Sequence, residues 1–148
     1  MRLYFDTAYV AKCYIHEPNG RAVRAMAARA AGLYSSAFAI AELACVFSRQ
    51  IRERRMTAAQ AAIWRRRFRE DLREGVWVLF PVSEHLLDRA EAMIGGLPPE
   101  VYLRAGDAIH LTTAHEHGFD EIWSNDRRLL SAATHFGMKG RSVQPARV

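Results

Sequence analysis

Short apolar runs alternate with helical segments along this sequence, and this alternation restricts the fold more than any other feature. Strand-like runs occupy residues 2–5, 33–35, 76–82 and 121–124, and we expect a last edge strand at 141–143. Short strands separated by helices typically pair in parallel and are covered by helices on both faces. The sequence therefore predicts a three-layer α/β/α fold around a central, mainly parallel sheet of four to five short strands.

A protruding helical hairpin is predicted over about 37–74. Its first helix repeats apolar residues at the spacing of one buried helix face. These residues are Ile40, Leu43, Phe47 and Ile51. Thr57 and Gln60 form a capping box, which predicts that the second helix of the hairpin begins there and runs to about Arg73.

The composition fits one ordinary globular domain spanning residues 1–148. Of the 148 residues, 50% are hydrophobic and 25% are charged, so the chain can bury a core. The two cysteines, Cys13 and Cys45, lack metal-type spacing, which disfavours a disulfide framework or a cysteine zinc site. No apolar segment reaches the roughly 20 residues that span a bilayer, and no signal peptide is evident. We expect a cytoplasmic protein without a membrane segment.

The positive charge of the chain is carried mainly by arginine. The formal net charge is +5 at pH 7, and the predicted hairpin holds many of the arginines. A guanidinium group binds phosphate oxygens in pairs, so this charge is typical of a phosphate-containing partner. The alternative is a solvated face on which the arginines pair with nearby acids at helical spacing.

Four acidic residues lie at boundaries between apolar runs and helices. They are Asp6, Glu42, Asp107 and Asp126. Asp6 and Asp126 each follow a strand and could simply cap a helix. Asp107 could be a favourable charge near a helix N-terminus, and Glu42 an exposed residue of an early helical turn.

A joint explanation of the four acids is a metal site. Ligands bind beyond the carboxyl ends of parallel strands, and we expect the strands before Asp6 and Asp126 to be neighbours. Converging carboxylates repel one another unless a cation holds them, and Mg²⁺ or Mn²⁺ prefers such oxygen ligands. A second ion about 3.5–4 Å away would stabilise a leaving oxygen in phosphoryl chemistry.

Four segments in order resemble the motifs of PIN-domain ribonucleases, in particular the VapC-type toxins of VapBC toxin–antitoxin systems. They are Phe5-Asp6-Thr7-Ala8, Ala41-Glu42-Leu43, Arg104 to Ala114, and Ser124 to Leu129. The resemblance covers essentially the whole chain, and Arg-x-x-Asp-Ala-x-His-Leu is its most distinctive piece.

The resemblance implies a metal-dependent endoribonuclease with these four acids as the catalytic site and Mg²⁺ or Mn²⁺ as cofactor. Asp6 and Asp107 match the acids that hold the metal most directly. Glu42 would orient water or share an ion, and Asp126 would support a second ion. Two hydroxyl positions beside the acids also match, and they are Thr7 and Ser124.

The resemblance further implies an RNA substrate, a homodimer and a cognate antitoxin that inhibits the enzyme, often through a basic side chain entering the acidic pocket. Four arginines are candidates for RNA contact: Arg49, Arg52, Arg104 and Arg127. Trp64 and Phe68, interpreted as exposed apolar residues of the hairpin, would suit a dimer or antitoxin groove.

Other functions have less support. A non-catalytic, basic module that binds nucleic acid or protein, with structural acids, is the main alternative. A phosphatase with an Asp nucleophile after the first strand would need a second Asp where the chain has Ala8. His115-Glu116-His117 lacks the spacing of a zinc protease. His110 is expected to be a hydrogen-bonded histidine of the core or of a dimer face, with a minor role in the site left open by its spacing from Asp107.

Overall fold

The computed structural model describes residues 1–143 and contains the predicted alternation of strands and helices. The strands are β1 (Arg2–Tyr4), β2 (Gly32–Ser36), β3 (Trp77–Phe80), β4 (Glu121–Trp123) and β5 (Lys139–Arg141). The helices are α1 (Thr7–Lys12), α2 (Gly20–Arg29), α3 (Ala39–Arg52), α4 (Ala58–Arg73), α5 (Glu84–Gly95), α6 (Ala105–Glu116) and α7 (Arg127–Ala132), followed by a 3₁₀ helix (Ala133–Phe136).

The described strand pairs are all parallel. β1 pairs with β2, β2 pairs with β3, and β4 pairs with β5. One parallel bridge between Phe5 and Trp123 joins these two groups, which gives the order β3–β2–β1–β4–β5. The expectation that the strands before Asp6 and Asp126 are neighbours is therefore confirmed.

Two apolar clusters lie on opposite faces of the sheet. Alternate residues of β1 divide between them, because successive side chains of a strand point to opposite sides. Leu3 packs with residues of α1, α2, α3 and α4, whereas Tyr4 packs with residues of α6 and α7. The predicted three-layer α/β/α fold around a parallel sheet is thus confirmed.

The hairpin of α3 and α4 differs from the sequence prediction in two side chains. The capping box of Thr57 and Gln60 forms as predicted, with both hydrogen bonds present. Ile51, predicted to lie on the buried face, is 38% exposed. Phe68, predicted to be exposed, is only 4% exposed and packs edge-on against Tyr14 of the core.

Element ends also differ from prediction by a few residues. The last strand covers Lys139–Arg141 instead of the predicted 141–143. The run at 76–82 has the strongest strand character in the sequence, yet β3 lies at the sheet edge. Within residues 1–143, none of the helices is long and apolar enough to cross a membrane.

Candidate active site

Asp6 lies at the point where β1 ends and α1 begins. One carboxylate oxygen accepts the N–H of Tyr9 at 3.0 Å and so caps α1, while the other accepts the hydroxyl of Ser124. The side chain is buried, and burial raises the pKa of Asp6 from 3.8 to about 6. The charge of His110 and the two hydrogen bonds lower this pKa, and the charge of Asp107 adds to the rise. The positive charge near Asp6 is therefore too small to offset the burial of its carboxylate.

Glu42 projects from the first turn of α3 and is held by two partners. The hydroxyl of Thr7 donates to Oε1 of Glu42 at 2.7 Å, and Nε2 of His110 lies 2.7 Å from the same oxygen. Burial alone would raise the pKa of Glu42, but the hydrogen bond and charge of His110 outweigh it, and the pKa is lowered. Glu42 is therefore held in its ionised form.

His110 links the helix of Asp107 to the helix of Glu42. Its side chain is buried, with Nδ1 lying 3.1 Å from the hydroxyl of Tyr4 and Nε2 lying 3.1 Å from that of Thr7. An ionised carboxylate only accepts hydrogen bonds, so the geometry assigns a hydrogen to Nε2 of His110. The sequence predicted a hydrogen-bonded histidine of the core or of a dimer face and left a role in the site open, but it did not predict the contact with Glu42.

Arg104 connects two of the acids from the residue before α6. Its Nη2 lies 3.0 Å from Oδ2 of Asp126, and its Nε lies 3.5 Å from Oδ2 of Asp107. Asp126 also caps α7, since its other oxygen accepts the N–H of Arg128 at 2.8 Å. Burial raises the pKa of Asp107, the charge of Asp126 adds to the rise, and Arg104 opposes it.

The acids are linked through a small set of shared partners. The hydroxyl of Ser124 donates to Asp6 and accepts the N–H of Asp126 at 2.9 Å, which ties the end of β1 to the end of β4. Arg104 and His110 each lie one helical turn from Asp107, at i−3 and i+3. That spacing is a sequence signal for the contact of Arg104 with Asp107, because such residues share a helix face.

The remaining arginines with a predicted RNA role lie outside this set. Arg49 and Arg52 are exposed in the last turns of α3, seven or more residues beyond Glu42 on the helix. Arg127 is exposed in the first turn of α7 and forms no ion pair with an acid among the described residues. Of the four candidates, only Arg104 contacts the acids.

The residues at this edge fit a divalent metal ion by their donor chemistry. Within residues 1–143, no group of three or more His, Cys, Asp or Glu is arranged as a ready metal cluster. The guanidinium of Arg104 nevertheless stands between two carboxylates, as a cation would. Carboxylate oxygens suit hard ions such as Mg²⁺ or Mn²⁺.

A groove of about 1230 Å³ lies beside the acids, between α3 and α4. Its apolar lining includes Phe38, Leu43 and Phe47, and arginines surround it. These arginines are Arg65, Arg66, Arg69 and Arg73. Phe38 also borders the acid site, because a Cβ at Gly106 would lie 3.2 Å from its ring and 3.2 Å from Oε2 of Glu42.

Comparison with known proteins assigns the family. The family model of the PIN domain matches residues 3–134, which is most of the chain. No match is found among curated proteins. PIN domains are generally nucleases that need metal ions and act on nucleic acids. From this match and from its fold, the chain belongs to the PIN-domain family.

Proposed function

We propose that the chain is an endoribonuclease that depends on Mg²⁺ or Mn²⁺ and serves as the toxin of a type II toxin–antitoxin pair. The observation that carries the proposal is the linkage of four acids at one sheet edge. Ser124 joins Asp6 to Asp126, Arg104 joins Asp126 to Asp107, and His110 reaches from the helix of Asp107 to Glu42.

The proposed roles follow from burial and hydrogen bonding. Asp6 and Asp107 are the main metal ligands, since burial without a full counter-charge raises the pKa of both and a cation would relieve it. Glu42, fixed by Thr7 and His110, holds the attacking water or shares an ion. Asp126 supports a second ion. A bound divalent ion supplies polarisation of a phosphoryl oxygen and a lower pKa for its water.

RNA cleavage is tested with purified protein and a single-stranded RNA in Mn²⁺ or Mg²⁺. We expect cleavage that EDTA abolishes, and a loss of about a hundredfold in Asp6→Asn and in Asp107→Asn, the scale seen when a group that stabilises developing charge is removed. Asp88→Asn is the matched control, because Asp88 is exposed on α5 and makes no contact with the acids. Undiminished cleavage by Asp107→Asn would contradict the proposed site, and RNA binding without any cleavage by the wild type would favour a non-catalytic binding module.

We propose that the groove between α3 and α4 binds a protein partner and that this partner is the antitoxin. Its apolar lining and surrounding arginines suit an acidic, amphipathic segment. The candidate partner is the product of a small gene overlapping or preceding this one. We expect that product to inhibit cleavage, and Arg65→Glu with Arg69→Glu to weaken inhibition while basal cleavage persists. Arg21→Glu, an exposed substitution on α2, is the control.

Toxicity and dimer formation are tested separately. Expression of the chain without its partner should arrest bacterial growth, and Asp6→Asn should not. Trp64 is 40% exposed and Ile63 is 57% exposed on α4, and they form the proposed dimer contact. Light scattering should report a dimer for the wild type and a monomer for Trp64→Glu with Ile63→Glu. A monomeric wild type would contradict the homodimer.

A further inference from the structure

Tyr102 is an exposed aromatic residue in the loop that leads into the acid site. Its side chain is 57% exposed, although both of its neighbours are anchored. Val101 and Leu103 pack against the apolar cluster on the α6 face of the sheet. With Val101 and Leu103 anchored in this cluster, the Tyr102 side chain is the one of the three that faces solvent.

Two contacts connect Tyr102 to Asp126. The guanidinium carbon of Arg128 lies 4.2 Å from the centre of the Tyr102 ring, and the N–H of Arg128 donates to Asp126 at 2.8 Å. Two residues after Tyr102, Arg104 binds the other oxygen of Asp126 at 3.0 Å. The ring is therefore fixed by its own loop, which leads to Arg104, and by Arg128 in the first turn of α7, and both of these arginines contact Asp126.

Neither the packing of the loop nor the contact with Arg128 requires the Tyr102 ring to be exposed to solvent. Arg128 contacts Asp126 through its backbone N–H, and within residues 1–143 its guanidinium forms no ion pair and lies on the Tyr102 ring. More than half of the Tyr102 side chain stays open to solvent with a planar cation on one side. An aromatic ring and a guanidinium plane are the two groups on which proteins stack unpaired RNA bases.

We propose that Tyr102, backed by Arg128, is a stacking platform for one unpaired base of the RNA, next to the phosphate that is cut. This inference rests on the proposed ribonuclease function and adds the position where a nucleobase binds. Stacking is tolerant of sequence, since every base has a π face. Tyr102 would thus favour single-stranded over paired RNA at this position without selecting a particular base.

The test uses the Asp6→Asn protein, so that RNA binds without being cut. Single-stranded RNAs carrying 2-aminopurine at successive positions report stacking, because the fluorescence of this base is quenched when it stacks. We expect one position to be quenched on binding. Tyr102→Ala should remove that quenching and weaken binding about tenfold, the usual scale for one base–aromatic stack. Tyr102→Trp should restore both.

Controls separate stacking from charge and from misfolding. The tenfold difference should persist at high salt, since counterion release governs phosphate contacts and not stacking. Leu87→Ala shortens an apolar side chain that is 44% exposed on α5 and should leave the quenching unchanged. Thermal melting confirms that Tyr102→Ala is folded, as expected for an exposed side chain.

The outcomes distinguish this inference from the proposed function. If the protein binds and cuts RNA but Tyr102→Ala keeps the same affinity and quenching, the platform is overturned and the ribonuclease stands. Recovery by Tyr102→Leu as complete as by Tyr102→Trp would also overturn stacking. If the wild type neither binds nor cuts RNA, the ribonuclease and the platform both fail.

Discussion

Nε2 of His110 lies 2.7 Å from Oε1 of Glu42, although the two residues are 68 positions apart in the sequence. The contact crosses from α6 to α3, and it is buried on the His110 side. Thr7 donates to the same oxygen from the start of α1. Three helices therefore meet at one carboxylate oxygen, so the position of Glu42 depends on the packing of all three.

A double-mutant cycle measures the His110–Glu42 contact. His110→Phe and Glu42→Gln should show a coupling in the free energy of unfolding of about 1–3 kcal/mol, the range for buried hydrogen bonds to charged groups. Urea unfolding provides the four free energies. The Arg89–Glu116 pair on the surface is the control, and its coupling should stay below about 1 kcal/mol. Equal coupling in both pairs would show that His110 does not hold Glu42.

The raised pKa of Asp6 predicts that the stability of the metal-free protein depends on pH. Its folded pKa of about 6 exceeds the ordinary 3.8, so between these values the folded state binds more protons than the unfolded state. Stability should therefore fall as the pH rises from about 3 to 7, by about 3 kcal/mol from this group. Asp6→Asn keeps the α1 cap and removes the charge, so it should stabilise the protein at pH 7.

Thermal unfolding in EDTA at pH 4.5 and pH 7 checks this prediction. The comparison is between wild type and Asp6→Asn, because Glu42 has a lowered pKa and acts in the opposite direction as the pH falls. The gap between the two proteins should widen toward pH 7. If the stabilities of the two proteins changed in parallel with pH, ionisation of Asp6 would not destabilise the folded protein.

The contacts of Arg104 predict that its guanidinium competes with a divalent ion for the carboxylates of Asp107 and Asp126. Its guanidinium contacts Asp107 and Asp126, yet its side chain is 61% exposed, and such pairs contribute only about 0.2–1 kcal/mol each. Replacing it by Gln should tighten Mn²⁺ binding about two- to tenfold, as measured by calorimetry. Arg127→Gln removes the same charge nearby without removing an ion pair. A similar affinity for both variants would count against competition.

A side chain at position 106 should displace the carboxylate of Glu42 without removing it. A Cβ there would lie 3.2 Å from Oε2 of Glu42, so Gly106→Ala should shift that carboxylate by a few tenths of an ångström. Cleavage should fall several-fold, while stability changes little because Ala gains about 0.4–1 kcal/mol of helix stability against the close contact. Gly95→Ala in α5 meets nothing within 4 Å and should raise stability without changing cleavage.

The sequence predicts this fold well where the determinants are local. Strand ends and helix caps can be derived from the chain, and Asp6 and Asp126 do cap α1 and α7. These caps also lie in the acid site, so the structural and the functional interpretations of the two residues are compatible. Apolar spacing likewise predicted α3, although not the exposure of Ile51.

Contacts between distant elements could not be predicted from the sequence. The partner of His110 depends on how α6 crosses α3, and helical spacing contains no information about that angle. Arg104 is similar, since its spacing predicts contact with Asp107 but not with Asp126, 22 positions away. Phe68 was misplaced because one helix face alone does not reveal which neighbouring helix covers it.

The parallel bridge between Phe5 and Trp123 joins the two halves of the sheet at its centre. From β1, the chain builds outward to β2 and β3 on one side and later to β4 and β5 on the other. The hydrogen bond from Ser124 to Asp6 crosses this central join, so the acid site depends on the contact between the two halves of the sheet and not on either outer strand.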